Sequence, residues 1–228
     1  MLVCDQLVAR RGDFTLKANW EVPKGAQVAI IGPSGAGKSL LLGALAGFET
    51  VSAGRVLWEG ADLGPLGPAA RPATIMFQSH NLFPHMSAGQ NVGLGIAPNR
   101  RLTADEAEQV SAALAAVGLA GMDARMPGEM SGGQASRVAL ARALVRRRPL
   151  LMLDEPFSAL GPRLRREMQA LVAQIQQQSE ATVLFVSHAP EEARAADLAI
   201  FVDGGVAEAP VPPERLFADP PEALRDYL

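Results

Sequence analysis

The stretch that most constrains this chain is GPSGAGKS (32–39). It follows the apolar run QVAII (27–31) and leads into the helical pattern SLLLGALAGF (39–48). Strand, glycine-rich loop and helix form the setting in which G-x-x-x-x-G-K-[ST] cradles nucleotide phosphates. Gly32, Gly35 and Gly37 let the backbone turn and approach an anion, with Pro33, Ser34 and Ala36 between them. The loop N–H groups and the start of the next helix then face the negative charge. Lys38 is placed to reach the β- and γ-phosphates, and Ser39 to join a Mg²⁺ shell. The chain has only three lysines, Lys17, Lys24 and Lys38, and one of them falls here.

The rest of the chain reads as strands alternating with helices. ATIMF (73–77), LLMLD (150–154), TVLFVS (182–187) and LAIFVDGG (198–205) are short and apolar, as strands buried on both faces of a parallel sheet are. Helical patterns lie at 103–119, 136–147 and 162–178. Thr103 and Glu106 form a capping-box pair, Pro149 stops the third helix, and Pro162 suits a first turn. The expected fold is therefore α/β. FTLKANWEV (14–22) and GRVLWEG (54–60) alternate, which predicts an antiparallel edge layer. The stretch 79–148 breaks the pattern and predicts a helical subdomain inserted between core segments 1–78 and 149–228. GADLGPLGPAARP (60–72) reads as a loop, and the last residues, VPPERLFADPPEALRDYL, as a surface tail.

LLMLDEP sets Asp154 and Glu155 at the end of a buried strand. Two carboxylates there cost desolvation unless a cation or a reacting group compensates. Ligands of open parallel sheets bind at the strands' carboxyl ends, where the glycine loop also lies. Asp154 is then the Mg²⁺-side acid, and Glu155 the candidate general base for an attacking water.

With GPSGAGKS, MSGGQ (130–134) and LLMLDEP in this order, the chain resembles the ATP-binding cassette family, the motor subunits of membrane transporters. FQ with Gln78, NLFPH (81–85), VALARAL, FSAL (157–160) and VSH with His188 extend the resemblance over nearly the whole chain. It implies a P-loop NTPase with a RecA-like parallel core, ATP and Mg²⁺ as ligands, and ATPase activity. It also implies that Gln78 touches Mg²⁺ or the lytic water and that His188 contacts the γ-phosphate. In this family two subunits pack head to tail, and each MSGGQ loop caps the γ-phosphate held by its partner. Ser131, Gly132, Gly133 and Gln134 would then serve the neighbouring nucleotide. A helix start aimed at an anion suits that role. Ser131 as an ordinary N-cap is the alternative, but a cap has no need of two successive glycines.

Departures from the family pattern are few. Gly161 stands where an acid usually follows SAL, which bears on coupling between the two sites. Met130 replaces the usual Leu, a near volume-conserving exchange. The adenine-stacking aromatic has two candidates, Arg11 by position and Phe14 as the nearest ring.

Composition narrows the partners. A net charge of -3 provides no electrostatic footprint for nucleic acid. Arg146, Arg147 and Arg148 read as a solvated helix end facing the negative dipole terminus. The single Cys4 fits a reducing compartment, and neither a secretory leader nor a membrane span is expected. The resemblance then implies a homodimer bound peripherally to permease subunits at the cytoplasmic face of the bacterial inner membrane. The pattern is most similar to importers fed by a periplasmic substrate-binding protein, without the C-terminal β domain many of them carry. LAGF, NVGLGIAP, RLTADE and the short tail resemble the motor subunits of thiamine importers. Iron, polyamine, sulfate and molybdate importers share most of the same motifs. A non-transport cassette ATPase would bring coiled coils or paired cassettes, and a P-loop kinase would lack SGGQ.

Overall fold

The computed structural model describes residues 1–225. The chain runs β1 (Leu2–Arg11), β2 (Phe14–Val22), β3 (Gln27–Ile31), α1 (Lys38–Ala46), β4 (Val51–Trp58), β5 (Ala61–Asp62), β6 (Ala73–Met76), α2 (Ala88–Gly93), α3 (Ala104–Ala116), α4 (Gly132–Val145), β7 (Leu150–Asp154), α5 (Pro162–Ser179), β8 (Thr182–Val186), α6 (Pro190–Arg194), β9 (Leu198–Asp203), β10 (Val206–Ala207), α7 (Pro213–Ala218) and α8 (Glu222–Arg225).

The strands form one mixed sheet in the order β5-β4-β1-β2-β10-β9-β3-β8-β7-β6. β2 exposes alternate residues and pairs antiparallel with β1, which pairs antiparallel with β4. This is the edge layer that its alternation predicts. β7 and β8 are buried throughout and run parallel to each other, as β3 does to β8 and β9. Continuous apolarity and parallel pairing go together because both faces of such strands are covered. The core joins Val28, Ile30, Met152, Leu184 and Ile200 of the sheet to Leu41, Leu42 and Leu45 of α1.

The chain forms two compact units. The first holds Met1–Ile75, Pro149–Glu155 and the described residues from Glu180 onward; the second holds Met76–Arg148 and Pro156–Ser179. Within the second, α2, α3 and α4 pack on one another. The second unit thus takes in α5 as well as the helical stretch read from 79 to 148. The Thr103–Glu106 capping box forms: Thr103 N donates to Glu106 Oε2 at 2.9 Å, and Glu106 N to Thr103 Oγ1 at 3.3 Å. α4 starts at Gly132, four residues earlier than its apolar pattern, because Ser131 caps it.

The C-terminal segment differs from the surface tail read in the sequence. Leu216 and Phe217 of α7 and Leu224 of α8 are buried. The guanidinium of Arg194 lies 4.0 Å from the ring centre of Phe217. Few apolar residues spread among prolines show no period, yet they dock on an existing surface. The end of that tail, Asp226, Tyr227 and Leu228, lies outside the described residues. No described helix is long and apolar enough to cross a membrane.

Candidate active site

Strand register decides which groups meet. Ile30 of β3 and Asp154 of β7 both pair with Val186 of β8, so three parallel strands end level. The glycine loop, Glu155 and the turn carrying His188 therefore leave the sheet side by side. That is the carboxyl-end position where ligands of open α/β sheets bind.

The loop 32–39 depends on its glycines at two points. A Cβ on Gly32 would lie 1.9 Å from the carbonyl oxygen of Val202, so no side chain fits beneath the loop. Gly37 has φ +109 and opens α1 as its N-cap. Lys38 Nζ donates to the carbonyls of Gly32 at 2.7 Å and Pro33 at 2.8 Å, spanning the loop from inside. Burial pulls its ammonium below the usual lysine value, while Glu155 and Asp154 oppose that shift.

A ring lies beside the loop. Phe14 Cε1 is 3.0 Å from where a Gly37 Cβ would sit, and Phe14 is 38% exposed. Arg11, the other candidate for covering a base, is tied to Glu49 at 2.6 Å. The arrangement leaves Phe14 the better placed of the two.

Asp154 is almost fully buried. Desolvation pushes its carboxyl above the ordinary range, and a hydrogen bond from Ser39 pulls the other way. Its Oδ1 is buried with no hydrogen-bond partner. A buried carboxylate oxygen without a partner is costly, and a hard cation is the usual remedy. Glu155 follows with φ +50, a left-handed conformation that costs a non-glycine residue of order 1–3 kcal/mol. The bend turns its half-buried side chain to His188, whose Nε2 lies 2.9 Å from Glu155 Oε1. Gly32, His188 and Pro190 share a small cavity with Phe217 and Leu224, so the docked C-terminal segment backs this corner.

Gln78, Ser131, Gly132, Gly133 and Gln134 belong to the second unit. Gln78 is exposed at the start of a turn in which His80 and Asn81 have φ +61 and +46. Arg142 of α4 holds that turn, donating to the carbonyls of His80 at 2.7 Å and Asn81 at 2.8 Å. Ser131 and Gln134 form a reciprocal cap: Gln134 N donates to Ser131 Oγ at 3.3 Å and Ser131 N to Gln134 Oε1 at 3.0 Å. The two glycines between them differ. A Cβ on Gly133 would come within 3.2 Å of the Ala159 carbonyl, so packing explains that glycine. A Cβ on Gly132 would meet nothing within 4 Å, so nothing in this chain's own fold requires glycine there.

One supporting residue had no sequence signal. Arg71 lies in the Pro/Gly-rich stretch, yet it is only 4% exposed. Its guanidinium donates to the carbonyls of Ala44 at 2.9 Å and Leu45 at 2.7 Å, closing the C-terminal end of the helix that the glycine loop opens.

A family model described as ABC transporter matches residues 16–158. The thiamine import ATP-binding protein ThiQ of Cereibacter sphaeroides is 55% identical over 229 aligned positions, covering 100% of this chain and 99% of the relative. The protein of the same name from Ruegeria sp. is 50% identical with the same coverage. Among solved structures, the dimeric post-hydrolysis state of the ATP-binding cassette MJ0796 bound to ADP and Pi superposes with a TM-score of 0.84. It shows 25% identity and covers 93% of this chain and 98% of that one.

Proposed function

The chain belongs to the ABC transporter family, and from that premise we propose that it is the ATP-hydrolysing motor of a bacterial importer that takes up thiamine through a membrane permease. The observation that carries this reading is full-length similarity to thiamine import ATP-binding proteins at 55% identity, joined to an intact phosphate loop and acidic strand end.

Each residue then has a task. The loop 32–39 holds the β- and γ-phosphates with backbone N–H groups, and Lys38 neutralises part of their charge. Phe14 covers the base. Ser39 and Asp154 are the oxygen donors that would hold Mg²⁺, and the unpartnered Asp154 Oδ1 fits that role. Bound there, the ion would neutralise charge developing on the phosphate oxygens. Glu155 accepts the proton of the attacking water. His188 donates an N–H to the γ-phosphate and, between turnovers, leans on Glu155. Gln78, the last residue of core segment 1–78 in a single cassette domain (core 1–78 and 149–228, helical subdomain 79–148), is assigned contact with Mg²⁺ or the lytic water.

The partner's loop 131–134 completes the site in a head-to-tail homodimer with ATP at the interface. Exposed Gly132, which the chain's own packing does not explain, supports this. Nucleotide binding closes the pair and loss of phosphate reopens it, so ligand affinity for one of two states drives the cycle. The permease carries this motion across the inner membrane, with the motor on its cytoplasmic face and a periplasmic binding protein delivering the cargo.

The test is reconstitution with a thiamine-importer permease and its periplasmic binding protein. Thiamine should stimulate ATP turnover and accumulate only when ATP is on the motor's side. Thiamine-independent turnover together with stimulation by another ligand of that binding protein would replace the assignment.

A further inference from the structure

We infer that Ser187 and Glu192 form a buried pair whose task is to position His188. The inference rests on the reading of His188 as the γ-phosphate contact. Ser187 is 4% exposed and Glu192 7%. The Ser187 hydroxyl donates to Glu192 Oε2 at 2.6 Å, a short charge-assisted bond, and Ser187 Oγ accepts from Ala189 N at 2.9 Å. Ser187 N donates to the carbonyl of Ile30 at 3.2 Å, so the pair is anchored to the strand that feeds the phosphate loop. Glu192 N in turn donates to the Ala189 carbonyl at 3.0 Å.

The residues on both sides of His188 are thus locked by one hydroxyl. A buried carboxylate on a short helix packed against β3 and β9 is costly to desolvate unless its hydrogen bonds compensate. What the carboxylate adds is direction. It fixes the Ser187 rotor, which fixes the 187–189 turn, which aims a half-exposed imidazole. The bonds of the pair run to each other, to Ala189 and to Ile30, so both residues are assigned to act through His188 and are positioning residues.

The experiment is steady-state ATP turnover by the purified full chain carrying Ser187→Ala, Ser187→Thr, Glu192→Gln or His188→Ala, with thermal melting alongside. Ser187→Ala should lower kcat about 5- to 10-fold and move KM for ATP less than about 2-fold, as expected for a lost alignment rather than a lost binding contact. Ser187→Thr keeps the hydroxyl and Glu192→Gln keeps an acceptor, so each should restore most of the rate. On a His188→Ala background, Ser187→Ala should have no further effect on kcat. The same fold-loss on that background would mean a general structural role and would overturn the inference. So would an unchanged kcat in Ser187→Ala while His188→Ala is impaired. An active His188→Ala enzyme would instead remove the reading of His188 itself, and this inference with it. If Ser187→Ala does not fold, Glu192→Gln and Glu192→Ala carry the same comparison.

Discussion

His188 Nε2 and Glu155 Oε1 stand 2.9 Å apart, although the two residues leave different strands. The contact exists because β7 and β8 end level and because the Glu155 backbone bends at φ +50. It joins the candidate base to the candidate phosphate sensor within one half-site.

Glu155→Gln keeps the backbone bend and an acceptor for His188, and removes only the basic carboxylate. ATP turnover should fall about 100- to 10,000-fold, the usual range for losing a general base. With saturating ATP, the variant should elute as a dimer in size-exclusion chromatography. A variant that remains monomeric and hydrolyses at the normal rate would contradict the shared-site mechanism.

Gly132→Ala separates folding from assembly. No atom lies within 4 Å of the added methyl, and alanine is the better helix former by up to about 1 kcal/mol. Melting should show equal or greater stability. ATP-dependent dimerisation and turnover should nevertheless drop, because the methyl intrudes where the partner's phosphate must approach. Unchanged turnover would return the MSGGQ loop to the status of a simple cap.

Arg71→Ala tests the support beneath the phosphate loop. It removes a buried guanidinium from the last carbonyls of α1 and leaves Ala44 and Leu45 short of a donor. Chemical denaturation should show a loss of about 2 kcal/mol, the size of a charged hydrogen bond broken in the interior. ATP affinity should weaken less than stability does, since no Arg71 atom is assigned to nucleotide.

Glu106 predicts a pH effect on stability. The hydrogen bond from Arg100, then the backbone hydrogen bond from Thr103, hold its carboxyl at about 2, below the ordinary 4.5. A depressed carboxylate contributes stability that is fully present above 4.5 and lost as pH falls towards 2. Glu106→Gln should therefore flatten the acid side of the melting-temperature profile and leave its neutral side nearly parallel. The pair is solvent-exposed, so added salt should shrink the difference.

Gly161→Asp probes the departure from the family pattern. Gly161 accepts the first helical bond of α5, from Arg165 N at 2.9 Å, and a Cβ there meets nothing within 4 Å. Aspartate is a marginally better cap than glycine, so stability should shift by only a few tenths of a kcal/mol. Turnover should rise if an acid at this point couples the two sites, and assay of the purified variant decides it.

The sequence by itself determined whatever depends on neighbours along the chain. The strand-loop-helix order around 32–39, the Thr103–Glu106 box and the buried parallel strands all follow from short-range pattern, because backbone torsion and side-chain period are local. What only tertiary structure decided was registration between distant segments. Asp154, Val186 and Ile30 lie level across three strands. Arg71 reaches a helix end 26 residues away. Leu216, Phe217 and Leu224 bury a segment whose composition reads as tail. Such contacts leave no period to read, since their free energy comes from packing and desolvation between surfaces that exist only once the chain has folded.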